Sequence, residues 1–330
     1  MKNVALRFRM IGMLAVALTG LPAMAAAAPR PNVVFILADD MGWGDVSRFG
    51  CADYVTTNLD RIGQNGITLT RAYAWPVCSP SRAALLTGMD PRQVGVPAVL
   101  LPGNTGIHTN SYTLAEHLRR HGYATALVGK WHLGYSNNAL PQVRGFQTFF
   151  GHHGGEINYT NYFYTSGNTY DLYDGATNVA NDYAGLYSTR VFTDKAKAFI
   201  DAHTNQPFFL YLAYNAPHYP LYAPTSYTAR FTHIPFGPRR TFAAMVNAMD
   251  DGVGEILDLL EARGLSSNTM VWFMTDNGAQ VNQGGANFPL RGAKTQVLEG
   301  GIRVPAMVQW PGHLPAAHTS AVPFQICDVF

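Results

Sequence analysis

The sequence predicts an α/β fold, with a mainly parallel central sheet and helices on both faces. Three observations predict it. Apolar runs of strand length recur at residues 32–38, 123–128, 207–214 and 269–275; their β-branched and aromatic residues are those of strands covered on both faces. Segments at helical spacing lie between these runs, and such interleaving is the pattern of a parallel sheet with crossover helices. The third observation concerns polar residues. Asp39, Asp40, Lys130, His132, His218, Asp276 and Asn277 all fall just past a strand-like run. Ligands of open parallel sheets gather at the carboxyl ends of strands.

Composition sets the bounds. The 330 residues are 47% apolar and 13% charged, a globular, core-forming balance. A net charge of +2 with no basic stripe gives no footprint for nucleic acid. The 17 Tyr, 18 Phe and 32 Gly describe a loop-rich chain with aromatic surfaces near its loops. Three cysteines, Cys51, Cys78 and Cys327, make no disulfide framework. Lys2, Arg7 and Arg9 precede an apolar run at 10–21, followed by small-x-small sites within 23–28. This reads as a bacterial secretory signal peptide over residues 1–28, with an uncleaved anchor as the rival reading. The expected location is periplasmic or secreted. No later run is long and apolar enough to span a membrane.

In chain order, the first strand ends in Asp39-Asp40 and continues as Met41-Gly42-Trp43-Gly44-Asp45. Adjacent carboxylates at a strand end repel unless a cation lies between them. Oxygen-only ligands favour Ca²⁺, then Mg²⁺; a solvated acidic turn is the alternative. A short helix over 57–65 is expected to close at Gly66, and 67–73 alternates as a strand. Then comes Cys78-Ser79-Pro80-Ser81-Arg82, running on into Leu85-Leu86-Thr87-Gly88. Pro80 suits a first helical turn. Cys78 then sits at the mouth of that helix, where an anion is favoured, with Arg82 on its side. The other reading is a buried cysteine ahead of a helix with a solvated arginine.

Thr113-Leu114-Ala115-Glu116 is a capping box opening a helix that Gly122 stops. The next strand leads into Gly129-Lys130-Trp131-His132-Leu133-Gly134, where an extended backbone would point Lys130 and His132 the same way. Residues 149–173 read as a long loop walling a pocket. His152 and His153 either touch substrate or lie at the surface. Helical spacing returns over 184–203. After the strand at 207–214 comes Asn215-Ala216-Pro217-His218-Tyr219-Pro220, and a long helix follows over 239–264. Asp276-Asn277-Gly278 is either a common turn or half of a metal site facing Asp39-Asp40. Lys294 and the run Glu299 to Pro305 close the list.

The strings C-S-P-S-R with its L-x-T-G-like tail and G-K-W-H-L-G resemble the two signatures of the type I sulfatases. The resemblance runs from about Asn32 to the end. It implies the alkaline phosphatase-like fold and a catalytic domain over 29–330, in a family that continues with a C-terminal subdomain this chain is expected to lack. It implies that Cys78 is converted to Cα-formylglycine by a formylglycine-generating enzyme, with Ser79, Pro80, Ser81 and Arg82 as its tag. With Cys78 modified, Cys51 and Cys327 are left and could pair. It implies one Ca²⁺ held by Asp39, Asp40, Asp276, Asn277 and the modified Cys78. Arg82, Lys130 and Lys294 would face sulfate, His132 would orient the hydrate, and His218 or Lys294 would serve the leaving group. The implied activity is hydrolysis of aryl or carbohydrate sulfate monoesters. The alternatives are phosphonate monoester or phosphodiester hydrolysis, and a non-catalytic relative with Cys78 unmodified. The chain departs from the family around Glu156, where Gly151, Gly155 and Tyr159 frame a segment lacking the small hydroxyl or alanine the family often has.

Overall fold

A computed structural model describes residues 30–330; the signal-peptide expectation for 1–28 lies outside them. The chain opens with β1 (Asn32–Ala38), then α1 (Thr57–Gln64), β2 (Gly66–Leu69), β3 (Ala72–Tyr73) and α2 (Cys78–Thr87). Helix α3 (Leu114–Arg120) precedes β4 (Ala124–Lys130) and β5 (Thr148–His152). Four two-residue strands follow: β6 (Phe163–Tyr164), β7 (Thr169–Tyr170), β8 (Tyr173–Asp174) and β9 (Thr177–Asn178). Then come α4 (Ser188–Ala202), β10 (Phe208–Ala213), α5 (Thr225–Thr228) and the long α6 (Pro238–Ala262). The chain closes with β11 (Thr269–Thr275), α7 (Glu299–Ile302), β12 (Ala306–Gln309), β13 (His318–Ser320) and β14 (Phe324–Gln325).

Ten strands form one sheet, in the order β13-β2-β12-β11-β1-β10-β4-β5-β8-β9. Its centre, β11-β1-β10-β4-β5, is parallel throughout. Antiparallel pairs begin outside it, at β11–β12 and β5–β8. The expected α/β architecture is therefore present, with a mixed periphery. Strand β1 divides the core by its pleat. Val34, Ile36 and Ala38 face α1, α4 and α6, while Phe35 and Leu37 face α2 and α3. Helices thus cover both faces, which is why the central strands carry almost no polar residues. No described helix is long and apolar enough to cross a membrane.

Two expectations are corrected by backbone contacts. Gly66 does not stop α1; that helix ends at Gln64 with Asn65 as its cap, and Gly66 begins β2. A Cβ at position 66 would lie 2.0 Å from the Val308 carbonyl oxygen. The glycine answers a close approach by β12 rather than a helix end. The expected loop over 149–173 begins as the buried strand β5, parallel to β4. Its apolar side chains look inward: Ile157, Tyr159, Tyr162 and Tyr164 are core residues. His152 is wholly buried and His153 nearly so, so neither lies at the surface. All three cysteines are free thiols.

Candidate active site

The carboxyl ends of four adjacent strands, β11, β1, β10 and β4, meet at one point. The register that pairs Ala38 with Thr275 sets Asp39 beside Asp276. The Asp276 amide donates to the Ala38 carbonyl at 3.1 Å, and the Asp40 amide donates to Asp276 Oδ1 at 3.2 Å. Asp40 turns sharply out of the strand at φ 64°. A left-handed aspartate costs on the order of 1–3 kcal/mol and is held only where its surroundings fix it. Here the turn sends Asp39 and Asp40 to different partners.

Each carboxylate meets a cation. Lys130 Nζ lies 2.5 Å from Asp39 Oδ2, and Lys294 Nζ lies 2.8 Å from Asp40 Oδ2. Arg82 gives Nε and Nη2 to Asp276 Oδ2, at 3.1 and 2.8 Å, and Nη1 to the Lys130 carbonyl at 3.2 Å. Three acids thus face three bases, almost all of it out of water: Arg82, Lys130, Asp39 and Asp276 are fully buried. Burial alone would raise the Asp40 carboxyl, but Lys294 and His218 hold it well below the usual range. Asp276 goes the other way, to about 6, because burial and the nearby Asp39 outweigh Arg82 and Lys130. The Arg82 and Lys294 cations are held charged by these acids against their burial.

Asn277 donates to Asp40 Oδ1 at 2.7 Å and to the Gly278 carbonyl at 3.0 Å. Its own Oδ1, and Asp39 Oδ1, are buried without any hydrogen-bond partner among the described residues. A buried oxygen left unpaired costs roughly 1–3 kcal/mol. Two of them beside three carboxylates are what a hard divalent cation would satisfy, so the donor set fits Ca²⁺ or Mg²⁺. The ligand atoms within 4.8 Å of one another belong to Asp39, Asp40 and His218. His218 thereby joins the acidic cluster, with Nε2 at 3.5 Å from Asp40 Oδ2. Asp276 has both oxygens engaged, by Arg82 and by the Asp40 amide.

Cys78 is the first residue of α2, all of which is buried. Its Sγ lies 3.3 Å from His132 Nδ1, and His132 Nε2 lies 2.9 Å from the Leu100 carbonyl. A carbonyl can only accept, so Nε2 carries the proton of the neutral ring and Nδ1 stands bare toward Cys78. The ring is neutral: burial, then Lys130 and Arg82, hold its pKa at about 3. His132 does not reach Cys78 by strand alternation. Strand β4 ends at Lys130, and His132 adopts φ 56°. The shared direction expected of Lys130 and His132 is thus made by a left-handed turn. Gly155 lies against that ring, where a Cβ would come within 2.8 Å.

His218, whose pKa burial, Lys294 and Lys130 hold at about 3 against the pull of Asp40, is the least enclosed of the two site histidines. Three supporting residues are not among the site residues expected from the sequence. The Tyr159 hydroxyl lies 2.8 Å from both the Asn215 and His218 carbonyls, fixing the turn after β10. The Asn287 amide bonds Ala279 N, Ala279 O and Gly292 O, tying the Asp276–Asn277 turn to the Lys294 loop. Leu100 supplies only a carbonyl. The G-x-x-x-G-x-x-x-Y frame marked Tyr159; nothing local marks the other two.

A family model described as Sulfatase matches residues 31–329. Mouse arylsulfatase J is 37% identical over 87% of this chain and 49% of its own length. Mouse N-acetylgalactosamine-6-sulfatase is 37% identical over 95% of this chain and 64% of its own. The chain thus spans about half to two thirds of these relatives. Among solved structures, Ps i-CgsB in complex with k-i-k-neocarrahexaose superposes with a TM-score of 0.87 at 35% identity, over 91% of this chain and 70% of that one. The phosphonate monoester hydrolase of Agrobacterium radiobacter, 20% identical, shares the fold, with a TM-score of 0.65 over 91% of this chain and 72% of that one. With a family model covering nearly all the described residues, and with strand ends that carry its two signatures into one buried cluster, the chain belongs to the sulfatase family.

Proposed function

We propose that the protein hydrolyses sulfate monoesters, aryl or carbohydrate, using formylglycine formed from Cys78 and one bound Ca²⁺. The observation that carries this reading is the pair of unpartnered buried oxygens, Asp39 Oδ1 and Asn277 Oδ1, set among three cations beside residue 78. Asp39, Asp40, Asp276 and Asn277 would hold the cation together with the hydrate at position 78. When bound, it polarises a sulfate oxygen and lowers the pKa of the attacking hydroxyl.

The chain's own groups divide the remaining work. Lys294 and Arg82 are held charged by the acids beside them, and Lys130 is paired with Asp39, so the three can meet a sulfuryl oxygen without reorganising. His132, neutral with Nδ1 bare, accepts a proton from the group at position 78. Lys294, held charged beside Asp40, would give the departing alcohol its proton, and His218, the more open histidine, would steady it. Charge also supports a singly charged ester. The site's acids and bases balance three against three, so a divalent cation is matched by one sulfate anion and one deprotonated nucleophile. The named relatives include one called N-acetylgalactosamine-6-sulfatase and one solved with a neocarrahexaose, which supports a saccharide sulfate. Maturation by a formylglycine-generating enzyme and export to the periplasm or medium belong to the same proposal.

The test is kinetic. Chain whose peptide over residues 72–92 carries the thiol-to-aldehyde mass change is assayed on matched aryl sulfate, phosphate and phosphonate esters, then on a panel of sulfated saccharides. The expected result is preference for sulfur, lost on chelation. Preference for phosphorus overturns the reading, as does full activity with Cys78 unmodified.

A further inference from the structure

Ser79 stands in the recognition string, yet in the folded chain its side chain has a definite partner. It is fully buried, and its Oγ accepts the Leu100 amide at 3.1 Å. The Leu100 carbonyl in turn accepts His132 Nε2 at 2.9 Å, and His132 Nδ1 faces Cys78 Sγ at 3.3 Å. Because 78 and 79 are neighbours in the chain, these contacts close a ring: residue 78, His132, Leu100, Ser79 and back.

The ring matters because of where Leu100 sits. Residues 97–105 are exposed except for Leu100. Within 97–104, the hydrogen bonds that leave the segment are those of Leu100 to Ser79 and His132, among the described residues. The other bonds there, from the Leu101 and Asn104 amides, are local to one turn. The carbonyl that sets the His132 tautomer therefore hangs on an otherwise solvent-facing loop. Its side chain is buried in the core beside α2, which holds the residue in place. The Leu100 amide and carbonyl belong to the two peptide units that flank its Cα: Ser79 pins the first, the buried side chain pins the Cα, and together they fix the point from which the carbonyl reaches His132.

We propose that Ser79 is a positioning residue for the reaction: through Leu100 it keeps the His132 Nε2 proton engaged and Nδ1 bare toward position 78. The inference rests on the proposed sulfatase reading only for its kinetic arm. A residue at 79 that lacks an acceptor leaves the buried Leu100 amide unpaired. The Leu100 backbone can then swing toward solvent about its buried side chain, and the shift of its Cα draws the carbonyl off His132.

The test compares Ser79→Ala and Ser79→Thr with the parent chain, after the peptide mass has given the modified fraction at position 78 so that any loss of tagging is divided out. Per modified site, Ser79→Ala is expected to lower kcat roughly tenfold with KM within about twofold, the size of one buried hydrogen bond lost together with its geometry. Ser79→Thr, which keeps the hydroxyl, is expected to restore kcat. Two further readouts need no activity. Amide exchange at Leu100 is expected to speed up at least tenfold in Ser79→Ala. Nitrogen-15 spectra of labelled histidine, with His132→Asn for assignment, are expected to show the His132 tautomer pure in the parent and mixed in Ser79→Ala. Unchanged Leu100 exchange together with an unchanged tautomer overturns the proposal, whatever the kinetics. A parent chain without sulfatase activity, but with both shifts present, upholds the ring and overturns the enzymatic reading instead. Should the alanine variant not fold, Ser79→Cys keeps the volume, weakens the acceptor and carries the same readouts.

Discussion

Two buried acidic centres lie close together in this molecule and are built on opposite rules. Asp45 is fully buried, and its oxygens are saturated. They accept the Gly42 amide at 2.9 Å, the Ala286 amide at 2.9 Å, the Tyr54 hydroxyl at 3.4 Å and Arg239 Nη1 at 2.5 Å. A few residues away, Asp39 and Asn277 each keep one buried oxygen with no partner. The first centre is a tie, joining the loop after β1 to the start of α6 and the loop at 284–286. The second is a socket. Burial alone does not separate them, since both hold carboxylates out of water. Incomplete satisfaction does, because a fold gains nothing by leaving a buried oxygen bare unless something fills it.

The contrast can be broken, and the largest effect comes first. Asp40→Ala is expected to lower kcat/KM by about 10³-fold or more. It should also abolish the calcium-induced rise in stability, which in the parent reaches about 2.7 kcal/mol at a hundredfold excess over Kd. Asp45→Asn should keep that calcium response, as read by thermal melting with and without chelator; an equal loss in both variants would erase the distinction. Next in size is Lys130→Met. It leaves Asp39 buried without its ammonium, and the calcium-free chain should lose about 3–5 kcal/mol in urea unfolding. Calcium should return part of this, because it supplies the missing charge.

Smaller and more diagnostic is the pH dependence of the tie. Burial, only partly offset by Arg239, pushes Asp45 up to about 6, whereas an unfolded carboxyl ionises near 3.8. The folded chain therefore holds this proton where the unfolded chain has lost it. Its contribution is complete below about pH 4 and fades as pH rises through 6, by about 3 kcal/mol. Asp45→Asn should flatten that part of the stability–pH curve and nothing above it. The smallest effect is expected of Tyr159→Phe. Loss of one shared hydroxyl should cost about 1 kcal/mol of stability and about fivefold in kcat, since His218 keeps its place but not its brace.

Much of this arrangement was legible in the sequence, for a definite reason. Asp39-Asp40, Lys130, His218 and Asp276-Asn277 each follow an apolar run, and a parallel sheet brings its carboxyl ends together by construction. Thr113 and Glu116 announce their helix start because both halves of a capping box lie within one turn. What stayed hidden depends on contacts between segments far apart in sequence. Gly66 looked like a helix stop because the strand that crowds it, β12, lies more than two hundred residues away. Residues 149–152 read as loop because their glycine and histidine do not suit a strand; the edge of β4 imposes the conformation. The left-handed turns at Asp40 and His132 carry no signature, since side-chain partners across the site hold them there. Leu100 acts through its backbone, which no residue type can announce.

The whole of α2 is inaccessible, and that has a consequence in time. Cys78, Ser79, Ser81 and Arg82 are each no more than 2% exposed, and Pro80 is buried with them. Arg82 is fastened to the end of β11, a strand formed nearly two hundred residues later in the chain. An enzyme that reads these five residues as a peptide cannot read them once the sheet has closed. Conversion of Cys78, where it occurs, must therefore run ahead of folding. The rate at which β11 docks beside β1 then sets a deadline, and chain that folds early keeps its thiol for life.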